Sequence, residues 1–190
     1  MSPGRPEPFA RSFAVPAPEL GVRTFWLGVT GCTTAVALFL LTRLTAWPPH
    51  EDETLALFVG RNSLPGVVEH VTRDRGGAPL HFLVAWAVAH LGFGLGGLRF
   101  ASAAFALASL PLVALLGRRL AGPGVGLVAT VLFASSWLFL FHGVYGRMYS
   151  LFLVCSLACT LALLKALERG GRRRWALWVL TALLTVATHP

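Results

Sequence analysis

Three acids, Glu51, Asp52 and Glu53, follow His50 at the point where the first long apolar run of the chain ends. Carboxylates are costly to hold near a bilayer, so acids crowded at such a point are either solvated loop or chemistry. A positioned carboxylate can take the proton of a hydroxyl as its oxygen attacks. Two arginines, Arg99 and Arg147, stand at the ends of later apolar runs. A guanidinium offers paired donors to an anion such as phosphate and stays charged. Each of these residues also has a plain reading. Asp52 suits the N-cap of a short helix, Glu53 suits that helix's first turn, and both arginines suit an interface where long side chains snorkel. Glu51 and His50 are less specific and read as solvated loop.

If residues 79–95 do not cross the membrane, His81, His142 and His189 project to the same side as these groups. Two histidines and an acid could hold a divalent cation, although their spacings match no metal motif, and the sequence identifies no other cofactor. Tyr145 and Tyr149 fit an interfacial aromatic belt, with stacking on a substrate as the alternative. His90, inside an apolar run, reads as structural.

The elements that must position these groups follow from composition. The chain has 190 residues, 55% of them hydrophobic and 13% charged, with a mean hydropathy of +0.68. An ordinary soluble domain is roughly 25% charged, so this is a membrane protein. The net charge of +8 would suggest nucleic acid in a soluble chain. Here the arginines fall between apolar runs, as the positive-inside rule expects, which argues against that partner. The three cysteines form no disulfide framework or metal spacing. Val29-Thr30-Gly31-Cys32 looks like a lipoprotein cleavage box, but the apolar run continues past it, so the segment reads as an uncleaved anchor.

Residues 1–22 carry five prolines and no apolar periodicity, which predicts a disordered cytoplasmic tail ahead of a transmembrane module over 23–190. The run 25–41, continuing to Trp47, is long enough to span, and Pro48 and Pro49 end it. Residues 48–78 are polar, with a short helix expected over 52–61. Residues 79–95 either cross the membrane or lie along it. Further spans are expected over 99–116, 124–141 and 151–167. A polar break separates the last two, and a basic loop over 169–174 follows. Another span begins at 175, and the chain ends at His189 and Pro190, which reads as an N-terminal part. The expected fold is therefore all-α: a polytopic helical bundle with about five transmembrane helices and an outer loop carrying juxtamembrane helices. Charges sit at span ends rather than in their middles, which argues against a transporter segment.

Asp52-Glu53 just beyond the first span resembles the opening motif of polyprenyl-phosphate-sugar-dependent glycosyltransferases of the GT-C superfamily. The order of later segments is similar too: Gly77-Ala78-Pro79-Leu80-His81, then Gly97-Leu98-Arg99 opening a span, Arg118-Arg119-Leu120-Ala121-Gly122, and Tyr145-Gly146-Arg147-Met148-Tyr149. The likeness is nearest to bacterial relatives of dolichyl-phosphate-mannose protein mannosyltransferases and covers residues 24–190. At position 149 this chain has Tyr where several members carry Asp. The resemblance implies a multi-pass cell-membrane enzyme with its active face extracytoplasmic. It would move a sugar from a polyprenyl-phosphate donor to a hydroxyl of a lipid, glycan or protein acceptor. It implies Asp52 as base, for which Glu53 is the candidate support, with Arg99, Arg147, Tyr149 and His81 the candidates at the substrate. It also places 79–95 on the membrane surface, so that the acids share a face with Arg99 and Arg147. The alternative is an inactive membrane fragment or scaffold.

Overall fold

The computed structural model describes residues 20–74 and 79–188, and all regular structure among them is helical. In chain order the helices are α1 (Val22–Arg43), α2 (Glu51–Gly60), α3 (Leu64–Asp74), α4 (Pro79–His90), α5 (Gly94–Ala121), α6 (Pro123–Ala134), α7 (Trp137–Val144), α8 (Met148–Arg169) and α9 (Arg172–Val186). Residues 1–19, most of the expected tail, lie outside the described residues, as do Gly77 and Ala78 of the quoted motif.

Three helices, α1, α5 and α8, are long and apolar enough to cross a membrane. At 1.5 Å per residue even the 22-residue α1 and α8 reach about 33 Å, against a hydrocarbon core of about 30 Å. The expected continuous span over 124–141 is instead two helices, α6 and α7, bent by 61°. The break falls at two serines. Ser135 turns its hydroxyl back onto the Leu132 carbonyl at 3.0 Å, and Ser136 is extended at ψ 125°. Serine offers the backbone such local alternatives to the helical ladder. The fifth expected span is also cut short: α9 has 15 residues, three of its first being arginines. The count is thus three spans, or four if the bent pair is one.

The polar stretch 48–78 holds two helices rather than one. The unexpected α3 buries Val67 and Val71, four residues apart on one face, against Val59 of α2. α4 has 12 residues and reaches about 18 Å, too short to cross alone, and it packs on α2, α3 and α5.

α5 is the centre of the bundle, touching α1, α6, α7 and α8. Its buried face is Ala103, Ala106, Leu110 and Ala114, facing Val36 and Leu40 of α1 and Phe139 and Val144 of α7. Small residues let helices approach closely where apolar burial gives no drive between them. A Cβ on Gly126 would lie 2.6 Å from the Ala114 carbonyl oxygen, so the α5–α6 crossing requires glycine there.

The two ends of α5 define the two ends of the molecule. Arg118 lies over the Phe25 ring at 5.3 Å, joining the end of α5 to the start of α1. Nineteen residues earlier, about 28 Å away along the helix, Arg99 meets the residues just past α1. The Leu80 N–H donates to the Ala187 carbonyl at 2.9 Å, so α9 returns to the Arg99 end. That end holds α2, α3, α4, the acids and Arg147, the arrangement expected if 79–95 does not cross.

Candidate functional site at the acidic cluster

Two adjacent acids on α2 make two ion pairs of opposite character. α2 begins at His50, whose Nδ1 accepts the Asp52 N–H at 3.2 Å while the Glu53 carboxylate accepts the His50 N–H at 2.9 Å. This reciprocal cap satisfies N–H groups that a helix start leaves without partners. The cap is therefore His50 and not Asp52. Asp52 sits in the first turn with its carboxylate turned outward, and Glu53, one residue on, turns inward.

Glu53 is fully buried and bridges to Arg99 through two hydrogen bonds, Nε to Oε1 at 2.9 Å and Nη2 to Oε2 at 2.8 Å. Its Oε1 also accepts the Gly146 N–H at 2.6 Å. Arg99 spends its remaining donors on the carbonyls of Leu44, Trp47 and Pro48, at 2.8–3.0 Å. A guanidinium has five N–H donors. All five are satisfied, and the Tyr145 ring closes over the group at 5.3 Å. Arg99 therefore has no donor left for a phosphate. Nor is Glu53 placed as a base: burial pushes its carboxyl upward, but the hydrogen bonds from Arg99, His50 and Gly146 and the charge of Arg99 outweigh that and hold it below the usual range. In this geometry Glu53 and Arg99, expected at the catalytic and substrate positions, are engaged with each other and with the backbone. Together they tie α2, the end of α1, α5 and the segment before α8 into one joint.

Asp52 and Arg147 make the open pair. Arg147 Nη2 lies 2.5 Å from the Asp52 carboxylate, whose side chain is 42% exposed against 18% for the arginine. The Tyr149 ring sits under the guanidinium at 4.8 Å, and the Tyr149 hydroxyl accepts from Nη2 at 3.3 Å. Arg147 Nε is buried without a hydrogen-bond partner. His81, at the start of α4, is buried nearby, and its pKa is lowered to about 4. Burial is the main cause, the positive charge of Arg147 adds to it, and Asp52 opposes it. His81 is therefore neutral at pH 7.

Beside this pair runs an apolar groove of about 380 Å³ between α7 and α8, lined by Phe133, Leu138, Phe139, Phe152 and Leu153 and ending at His142 and Tyr149. The rings of His142 and Tyr149 are 4.3 Å apart. A larger concavity of about 580 Å³, lined by Thr54, Leu57, Phe58 and Arg61 among others, opens on another side of α2. It is lined by no acid, whereas the smaller groove reaches the Asp52–Arg147 pair through Tyr149.

Sequence reasoning brought Asp52, Arg147, Tyr149 and His81 to one side, and the structure gathers them. It missed Gly146, where a Cβ would come within 2.7 Å of Leu98, and the serines that anchor α7. Ser102 and Ser150 both donate to the His142 carbonyl, at 3.2 and 3.0 Å, satisfying an orphan acceptor at the helix end. The only sequence signal for them was polarity inside an apolar run. Among the described residues no group of three or more His, Cys, Asp or Glu is gathered to hold a metal, and His189 lies outside them.

No protein-family model matches the chain, and no curated protein or solved structure matches it.

Proposed function

We propose that the chain works as an integral-membrane glycosyltransferase. It would transfer a sugar from a polyprenyl-phosphate donor to a hydroxyl of a lipid, glycan or protein acceptor at the extracytoplasmic face of the cell membrane. The observation that carries this reading is the half-open Asp52–Arg147 pair, which Tyr149 links to an apolar groove.

The groove suits a polyprenyl chain, because its walls are aromatic and aliphatic. Arg147, stacked on the Tyr149 that lines the groove, has a buried, unpartnered Nε–H to offer a phosphate oxygen once Asp52 moves away. In this scheme the donor phosphate displaces Asp52 from Arg147. The freed carboxylate accepts the acceptor hydroxyl's proton as that oxygen bonds to the anomeric carbon. The bond from that carbon to the phosphate oxygen breaks, and Arg147 stabilises the phosphate that leaves. Neutral His81 adds no competing positive charge. Tyr149 orients the guanidinium from below.

The test is transfer of labelled sugar from a polyprenyl-phosphate donor in membranes containing the chain, against its Asp52→Asn form. A positioned base contributes roughly 10²- to 10⁴-fold, so the Asn form should lose about that much. Undiminished transfer by Asp52→Asn removes Asp52 as the base, and no transfer by either form supports the scaffold alternative.

A further inference from the structure

The end of the bundle opposite the acidic cluster carries a second built cavity. It measures about 420 Å³, lies among the ends of α5, α8 and the start of α9, and is lined by Arg118, Arg119, Lys165, Arg169 and Arg174 against one carboxylate, Glu168. Its floor is apolar, formed by Leu115 and Leu161. The positive-inside rule explains basic residues in the loops at a bundle end, but not their gathering round a cavity with an apolar base.

The structure divides these cations into those that build the wall and those that face the cavity uncommitted. Arg119 donates through Nε to Glu168 at 2.9 Å and pairs with its other oxygen through Nη2, clamping α5 to α8. Arg174 donates to the Gly170 carbonyl at 2.9 Å and reaches the Arg169 carbonyl at 3.4 Å, closing the turn between α8 and α9. Arg118 is stacked over Phe25. Lys165 and Arg169 make none of the described ion pairs, although the charge of Arg169 does reach Glu168. Five cations gathered round one carboxylate at the end of a membrane bundle create a strong local attraction for phosphate.

We propose that this cavity binds the phosphate headgroup of an anionic membrane phospholipid, with Lys165 and Arg169 on the phosphate and the apolar floor under the start of its acyl chains. The Leu115 and Leu161 floor favours a lipid over a free phosphate ion, which would gain nothing from it. The site lies about 28 Å along α5 from Arg99, so it faces the other leaflet and is independent of the transferase reading.

The test uses the whole chain purified in detergent, with retained lipid counted by native mass spectrometry after addition of phosphatidylglycerol or phosphatidylcholine. Phosphatidylglycerol should be retained preferentially. Lys165→Gln with Arg169→Gln should weaken it about thirtyfold, since each basic residue near a charged membrane surface contributes roughly fivefold. Arg23→Gln with Arg172→Gln removes equal charge outside the cavity lining and should change retention less than threefold. Equal loss in both double variants would overturn the proposal in favour of diffuse charge, and equal retention of the two lipids would overturn it outright. Displacement of the lipid by 10 mM inorganic phosphate, about the level of a phosphate buffer, would reassign the site to the free ion. A Lys165→Arg, Arg169→Lys variant keeps both charges and should retain the lipid, which separates charge from folding.

Discussion

Glu53→Gln and Asp52→Asn remove the same charge from neighbouring residues, yet their costs should differ by several kcal/mol. The Glu53 carboxylate accepts four hydrogen bonds, two from Arg99 and one each from the His50 and Gly146 N–H groups. A glutamine carbonyl has lone pairs for two, and its NH₂ would face donors instead of acceptors. Two lost charge-assisted bonds at about 1.5–3 kcal/mol each agree with the 3–5 kcal/mol typical of breaking a buried pair. The Asp52 pair is half exposed and falls in the class worth about 0–1 kcal/mol. Against a total stability of about 5–15 kcal/mol, only the Glu53 change threatens the fold. The assay is denaturant unfolding in detergent, followed by tryptophan fluorescence; Trp47 stacks on Tyr145 at 5.4 Å beside the joint and reports its opening. Unfolding free energies for the two variants within about 1 kcal/mol of each other would refute the division into a structural and an open pair.

Other perturbations probe the same site. Arg147→Lys keeps the charge but loses the planar fork and its unpartnered Nε, so donor transfer should fall at least tenfold, with stability within about 1 kcal/mol of the parent in the same unfolding assay. Gly146→Ala puts a Cβ 2.7 Å from the Leu98 Cγ and pushes the Gly146 N–H away from Glu53. Destabilisation by about 1–3 kcal/mol is expected, and an unchanged unfolding midpoint would contradict the packing. His81 has its folded pKa lowered from 6.5 to about 4, so the unfolded chain binds its proton first as pH falls. Stability should therefore be full above pH 6.5, drop by up to about 3 kcal/mol between pH 6.5 and 4, and level off below. His81→Gln should flatten that window. A profile in the parent that rises toward pH 4 would carry the wrong sign for a buried neutral histidine.

Much of the fold was legible because hydropathy and length are summed along the chain. The three long spans and the helix after Pro49 needed no neighbour to declare them, whereas hydropathy left 79–95 open between crossing the membrane and lying along it. The break at Ser135–Ser136 was not legible, because the run across it is apolar but for these two serines, and only their local backbone choice turns it. Nor was α3, whose two buried valines have meaning only once Val59 lies beside them.

The acidic cluster shows the same division at the scale of single atoms. Sequence by itself determined that acids stand where a helix leaves the membrane, that arginines mark the ends of later spans, and that Asp52 and Glu53 are neighbours on a short helix. Only the tertiary structure decided that Glu53 turns into the joint and uses up Arg99, while Asp52 turns out to meet Arg147 beside the groove. The reason is physical. Consecutive helical residues point about 100° apart, so which of two adjacent carboxylates is buried depends on where α5 and the Gly146 turn sit, and no local pattern records that.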